Sequence, residues 1–318
     1  MDLPDVKERW THKINTVTIG ATSEDGGTRT STVTVGGQTT LPLLDFEGEL
    51  PNKPVIAGFI ADTPPSWPDV LKNAIGDVIN SPVEWAQKCV EEYGVDLLSL
   101  KLVGADPAGN DASPESCAKV VADVLKAVGV PLIIRGCGDD DKDAQVLLEC
   151  SQAARGENCL IGSAKESNYM TIVALCKADK HKIISEAPVD INIGKQVNIL
   201  LQDAGFDLND VIMFQTTAAL GYGFDYVYTI TERARIAGLK GDTLMATPMI
   251  ADVGGEVWRI KETVADEDIL PGWGKLEKRG PSWEAACASG YLQAGADILI
   301  MAHPEAIATT QATIAQLV

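Results

Sequence analysis

The sequence predicts an α/β chain folded as a TIM (β/α)8 barrel with an N-terminal β-hairpin extension. Three observations lead there. From about residue 54 onward, eight short apolar runs alternate with stretches of helical periodicity, the pattern of a parallel sheet wrapped by helices. Several runs, such as Leu132-Ile133-Ile134, show no polar alternation, which suits strands buried on both faces. Ahead of them lie two segments rich in Thr, Val and Ile on either side of GATSEDGGT, the mark of a hairpin. An open doubly wound sheet is the rival arrangement. The expected division is 1–53 for the hairpin extension and connector, and 54–318 for the barrel.

The hairpin strands are expected at 13–20 (KINTVTIG) and 29–36 (RTSTVTVG). Such a hairpin could plug the bottom of a barrel or act as a docking arm. The first barrel strand runs from Val55 to Ile60 and ends at Asp62–Thr63. Ser66 with Asp69, and Ser81 with Glu84, have capping-box spacing, the second with Pro82 at the first helical position. Val83, Ala86, Val90 and Tyr93 then recur at helical spacing. The second strand is Asp96 to Leu102, with Lys101 near its tip, and Ser113–Pro114 opens the next helix. The third strand, from Val130 to Ile134, is broken by Arg135 and followed by the turn Gly136-Cys137-Gly138. Asp139 to Asp141 then mark a helix start, where the dipole favours negative charge.

The fourth strand is Cys159 to Gly162, followed by Ser163, and the fifth is Lys182 to Glu186. The sixth is Val211 to Gln215, followed by Thr216 and Thr217. The seventh is Leu244 to Thr247, and the eighth is Ile298 to Ala302, ending in His303–Pro304. Between the seventh strand and its helix a loop at 251–281 is expected, holding Trp258 and Trp273. Connections in βα units normally take about 2–6 residues, and longer ones are usually functional or mobile. This one falls on the C-terminal face, where barrel active sites lie.

Charge and cysteine usage narrow the function classes. A formal net charge of −19 argues against nucleic acid, where Lys and Arg must replace counterions. No basic stripe suits a membrane surface, so the acidity reads as solubility. The seven cysteines are scattered, with no CxxC spacing. That predicts no disulfides, and no zinc or iron–sulfur site built from this chain alone. The polar start MDLPDVKERW is unlike a signal peptide, and no apolar run reaches membrane-spanning length. A soluble protein of a reducing compartment, the cytoplasm, is expected.

The strand tips carry Asp62, Lys101, Arg135, Ser163, Glu186, Gln215, Thr247 and His303, which together could ring a pocket. Lys101 suits either a Schiff-base amine or a salt bridge with Asp62, Glu186 or Asp106, and the salt bridge is preferred. Glu186 and Asp62 could form an acid–base pair or serve only to neutralise cations. His303 stands alone, so a capping or interface role is favoured over a metal site or proton shuttle. Three motif searches fail. GxGxxG is absent, as is a GxxxxGK[ST] phosphate loop. A cobalamin-type DxHxxG is also missing: Asp179-Lys180-His181 starts it, but Ile184 stands where the glycine belongs. The chain thus offers a binding face without a complete catalytic set, as a subunit dependent on a partner would.

At family level the chain resembles the small (delta) subunit of the corrinoid iron–sulfur protein of the acetyl-CoA decarbonylase/synthase pathway. VTIGATSEDGGTRTSTVTVGG, DFEGELPNKPVIAGFIAD, DLLSLKLVGADP, VPLIIRGCGDDDKD, SAKESNYMTIVALC, PVDINIGKQVNILL and MFQTTAALGYGFDY carry the resemblance, which covers essentially the whole chain. It implies a TIM barrel paired with a large subunit that carries the iron–sulfur cluster and mainly holds the corrinoid (cobalamin). It also implies methyl transfer from methyltetrahydrofolate through a methyltransferase to acetyl-CoA synthase/CO dehydrogenase, with a reductive activator as a further partner. On that basis the C-terminal face is expected to cap the corrinoid without a catalytic or metal-ligating residue of its own. The expected contacts, chosen as strand tips, are Asp62, Lys101, Arg135, Gly136, Ser163, Glu186, Gln215, Thr216, Thr217, Thr247 and His303. The alternative is an autonomous TIM-barrel enzyme, a pterin-dependent methyltransferase or a lyase using Lys101. Only fold analogy supports it.

Overall fold

The computed structural model describes residues 7–269 and 271–317, so the first six residues of the polar start lie outside it. Two short strands, β1 (Thr16–Ile19) and β2 (Val33–Gly36), pair antiparallel. Eight more follow: β3 (Val55–Ala61), β4 (Leu97–Lys101), β5 (Leu132–Arg135), β6 (Leu160–Ala164), β7 (Lys182–Glu186), β8 (Val211–Phe214), β9 (Ile250–Asp252) and β10 (Ile298–Met301). They form one parallel sheet in the order β8-β7-β6-β5-β4-β3-β10-β9. The ring closes between β8 and β9 through a bridge at Met213 and Met249, where the Met213 N–H donates to the Pro248 carbonyl at 2.8 Å. This is the expected (β/α)8 barrel. β5 and β10 are buried along their whole length, as a parallel strand covered on both faces requires.

Helix starts follow the expected capping chemistry in all but one place. Ser81 Oγ accepts from the Glu84 N–H, Ser113 Oγ from Ser116, and Asp139 Oδ1 from Lys142. Ser66 caps nothing: its helix, Asp69–Ile75, begins after Pro68 with no side-chain cap. Among the described residues no helix is long and apolar enough to cross a membrane.

The hairpin seals the barrel's N-terminal end, the plug rather than the docking arm. Alternation sets its faces: Val17, Ile19, Val33 and Val35 are buried in the core, while the Thr18 and Thr34 hydroxyls meet at 2.9 Å on the other side. Its anchors are residues just ahead of barrel strands. The Asn15 N–H donates to the Ala246 carbonyl at 2.6 Å, and Asn158 Nδ2 donates to the Thr18 and Gly20 carbonyls at 3.0 Å each. Arg29, 4% exposed, pairs with Glu157 at 2.7 Å and donates to the Val128 and Leu125 carbonyls. Gly36 allows the close approach, because at its φ of +85° a Cβ would lie 1.9 Å from the Asn15 carbonyl oxygen.

Two expectations need correction. The seventh strand is Ile250–Asp252, not Leu244 to Thr247. Pro248 has no N–H to give a ladder, and residues 244–247 lie at the N-terminal end, where Ala246 holds the hairpin. Residues 251–281 are not one long loop. Residues 251 and 252 are strand, Val253–Val257 and Lys261–Val264 are short helices, and Leu276–Ala294 already covers the last six positions. Trp258 is 1% exposed and packs this segment onto its own barrel, whereas Trp273 is half exposed against Trp283, ring centroids 5.2 Å apart.

Candidate functional site

At the C-terminal ends of the strands the barrel opens into a cavity of about 530 Å³. Strand parity decides which side chains reach it. On β3, Phe59 lines the cavity, so Asp62, three positions on, turns away. Its Oδ1 accepts from the Gly104 N–H at 2.9 Å and fixes the loop after β4. After β8, Phe214 and Thr216 line the cavity and Gln215 between them does not. Gln215 points out toward Gly194 of the helix Ile191–Asp203, its amide nitrogen 2.9 Å from Met213 Sδ.

Of the residues expected at the site, the structure brings together Lys101, Arg135, Gly136, Ser163, Glu186, Thr216 and Thr217. Asp62, Gln215, Thr247 and His303 are outside. Thr247 is buried at the opposite end of the barrel, ahead of β9. His303 lies behind the wall, stacked on Trp258 with ring centroids 5.5 Å apart. Its Nδ1 accepts from the Glu305 N–H at 3.1 Å, which caps the helix Pro304–Leu317. Burial pushes the His303 ring down to about 4, against the pull of Glu305. A neutral imidazole used this way is a cap, the role favoured for it.

The strongest interaction in the cavity runs from Arg135 Nη1 to Asp252 Oδ2 at 2.5 Å. Asp252 was missed with its strand. Its signal was present, since Ile250-Ala251-Asp252 repeats the Ile60-Ala61-Asp62 that ends the first strand. The Asp252 carboxylate also caps the following helix through the Gly255 N–H at 3.1 Å, and its backbone N–H donates to Thr217 Oγ1 at 2.8 Å. Burial works against the Asp252 charge, but the Arg135 guanidinium and then Lys101 outweigh it and hold the carboxyl below its usual range. Arg135 lies over the Phe59 ring, 5.6 Å from its centroid, a cation–π arrangement. Its Nε and Nη2 are buried without a hydrogen-bond partner.

Lys101 makes none of the expected salt bridges with Asp62, Glu186 or Asp106 among the described residues. Burial and then the Arg135 charge hold its ammonium below the usual range, opposed by Asp252, Asp143 and Glu186. Asp143, a second missed residue, pins the Gly136–Gly138 turn. Its carboxylate accepts from the Cys137 N–H at 2.7 Å and the Gly138 N–H at 2.9 Å. Burial pushes the Cys137 thiol up to about 11, with Asp143 adding to the effect, so it stays a neutral rim residue. Lys165, Arg259, Glu256 and Trp67 complete the wall. The arrangement can bind and orient a polar molecule. Among the described residues no group of three His, Cys, Asp or Glu side chains is placed to hold a metal ion.

Comparison with known proteins gives two kinds of likeness. The family model described as CO dehydrogenase/acetyl-CoA synthase delta subunit matches residues 16–311. The chain is 38% identical over 309 residues to the acetyl-CoA decarbonylase/synthase complex subunit delta of Archaeoglobus fulgidus, covering 95% of this chain and 68% of that one. The subunit of the same description from Methanopyrus kandleri is 37% identical, over 92% of this chain and 72% of that one. Among solved structures, the 7,8-dihydropteroate synthase of Vibrio fischeri superposes with a TM-score of 0.57 over 87% of this chain and 98% of that one, at 14% identity. The dihydropteroate synthase of Coxiella burnetii gives 0.55 at 13% identity, over 87% of this chain and 96% of that one. At such identities the likeness is one of fold.

Proposed function

The chain belongs to the family of CO dehydrogenase/acetyl-CoA synthase delta subunits, and on that premise we propose that it is the small half of a heterodimeric corrinoid iron–sulfur methyl carrier. In this reading the open end of the barrel caps a corrinoid held mainly by a large subunit, which also carries the iron–sulfur cluster. The methyl group reaches the carrier from methyltetrahydrofolate through a methyltransferase and leaves to acetyl-CoA synthase.

The observation that carries the reading is the unpaired polarity of the cavity. Arg135 keeps two buried N–H-bearing nitrogens without a partner, and Lys101 has no ion pair. Buried polar groups are normally satisfied, so these fit a ligand rich in hydrogen-bond acceptors, as the amide-fringed edge of a corrin is. A corrin with its side chains exceeds about 530 Å³, so the cavity suits a cap over an edge rather than a site that engulfs the ring. The corrinoid would supply the metal that carries the methyl group. Lys101, Arg135, Ser163, Glu186, Thr216 and Thr217 would hold its rim and keep water from that side.

The affinity of this chain for the large subunit tests the reading, measured with that subunit loaded with corrinoid and empty. Tighter binding to the loaded form is expected, and equal affinity would sink the cap. A second reading, an autonomous barrel enzyme, draws on the desolvated and unpaired Lys101 amine. Turnover of methyltetrahydrofolate with free cobalamin by this chain alone would favour that reading and overturn the first.

A further inference from the structure

We infer that the cavity contains a subsite for a primary carboxamide, with Lys101 and Arg135 donating to its oxygen and Glu186 accepting from its nitrogen. The inference rests on the corrinoid reading and deepens it, because it names the chemical group that the cap would grip.

The groups left over after internal pairing carry the argument. Arg135 spends Nη1 on Asp252 and keeps Nε and Nη2 unpaired. Asp143 is spent on the turn, Lys165 pairs with Asp140, and Arg259 pairs with Glu256. Lys101 and Glu186 remain. Both line the cavity, they are close enough for each to feel the other's charge, and neither side chain has a hydrogen bond among the described residues. Four cationic and four anionic side chains line the cavity, so no net field draws in an anion or a cation. What remains is a donor set beside an acceptor.

That combination selects against the obvious alternatives. A carboxylate would satisfy Lys101 and Arg135 but would set a second negative charge near Glu186 in a poorly solvated space. An ammonium would satisfy Glu186 and oppose Lys101 and Arg135. A carboxamide is neutral and presents a carbonyl acceptor and an N–H donor on one planar group. It satisfies both halves, and site groups left unpaired by the wrong ligand are what make such discrimination large.

The test uses the full chain in equilibrium dialysis with two probes, cyanocobinamide and the fully hydrolysed cyanocobyrinic acid, whose side-chain amides are carboxylates. The wild-type chain is expected to hold the amide form about tenfold more tightly, the scale of one charged hydrogen bond. Glu186→Ala should erase the preference, by weakening the amide form and strengthening the acid form, and Lys101→Met should weaken both. If Glu186→Ala fails to fold by circular dichroism, Glu186→Gln replaces it. That variant keeps an acceptor oxygen without charge, so it should still hold the amide form and now admit the acid. Equal retention of the two probes, retention of neither, or a preference that the Glu186 variants leave intact would overturn the subsite. So would retention of methyltetrahydrofolate in place of the corrinoids, which would assign the same donors and acceptor to a pterin edge. The capping reading falls separately, through heterodimer affinity that ignores corrinoid loading.

Discussion

Arg135 and Asp252 meet at 2.5 Å although they close strands four places apart in the eight-strand ring. Their ion pair therefore spans the barrel mouth from one side to the other. It ties β5 to β9, a strand whose link to its other neighbour, β8, is a single bridge. Both partners are mostly buried, with side chains 8% and 14% exposed. The pair thus shapes the cavity and secures the weakest seam of the sheet at once.

Breaking that pair from one side should be costly. Asp252→Ala leaves the Arg135 charge buried and uncompensated, which destabilises by about 3–5 kcal/mol. Chemical denaturation of Asp252→Ala, Arg135→Met and the double variant gives the coupling. The double variant is expected to lose less than the sum of the singles, and strict additivity would mean that the contact contributes nothing.

Stability against pH should expose two buried groups of opposite sign. Burial pushes the Glu284 carboxyl up to about 7, against hydrogen bonds from the Ala302 N–H, the Trp258 indole and the His303 N–H. A carboxyl raised above its ordinary 4.5 contributes stability that is present below 4.5 and lost as pH rises toward about 7. His303, depressed from 6.5 to about 4, contributes stability that is present above 6.5 and lost as pH falls toward about 4. In the wild-type chain the two oppose each other between 4.5 and 6.5. Glu284→Gln removes the first, so its melting temperature should climb more steeply with pH across that window than the wild type's. Identical slopes would show that Glu284 is already ionised in the folded chain.

The two tryptophans should separate cleanly. Trp258→Ala empties a site 1% exposed and removes the indole donor to Glu284, with an expected cost of about 3–5 kcal/mol. Trp273, 48% exposed, should tolerate alanine within about 1 kcal/mol, since exposed positions carry little packing energy. If Trp273 helps to hold the large subunit, native mass spectrometry of Trp273→Ala will show less heterodimer. Full retention would remove it from that interface.

The plug rests on one arginine. Arg29→Ala strands the Glu157 carboxylate together with the Val128 and Leu125 carbonyls, a loss of about 3 kcal/mol or more. Hydrogen exchange should quicken in residues 16–36 before it does in the barrel strands. Uniform quickening would mean that hairpin and barrel open as one unit.

The strands were legible where an apolar run had clear ends. Lys182–Glu186 was read to the residue. The seventh strand was misplaced because residues 244–251 are nearly all apolar, and only Pro248 marks where a ladder cannot begin. Tip residues were harder to place, because a one-residue change of phase turns a side chain from the cavity to the helices. That is why Phe214 and Thr216 line the cavity while Gln215 faces Gly194. The Arg135–Asp252 pair was out of reach, since its partners lie 117 residues apart and meet only when the ring closes.

With the hairpin closing one pole, the molecule has a back and a front. The turn at 23–26 is exposed and lies on the plugged side, away from the mouth. A tether or fluorophore attached at Glu24 would present every molecule on a sensor surface with its open end outward. The heterodimer and dialysis experiments could then be run on an oriented layer in which immobilisation does not compete with the ligand.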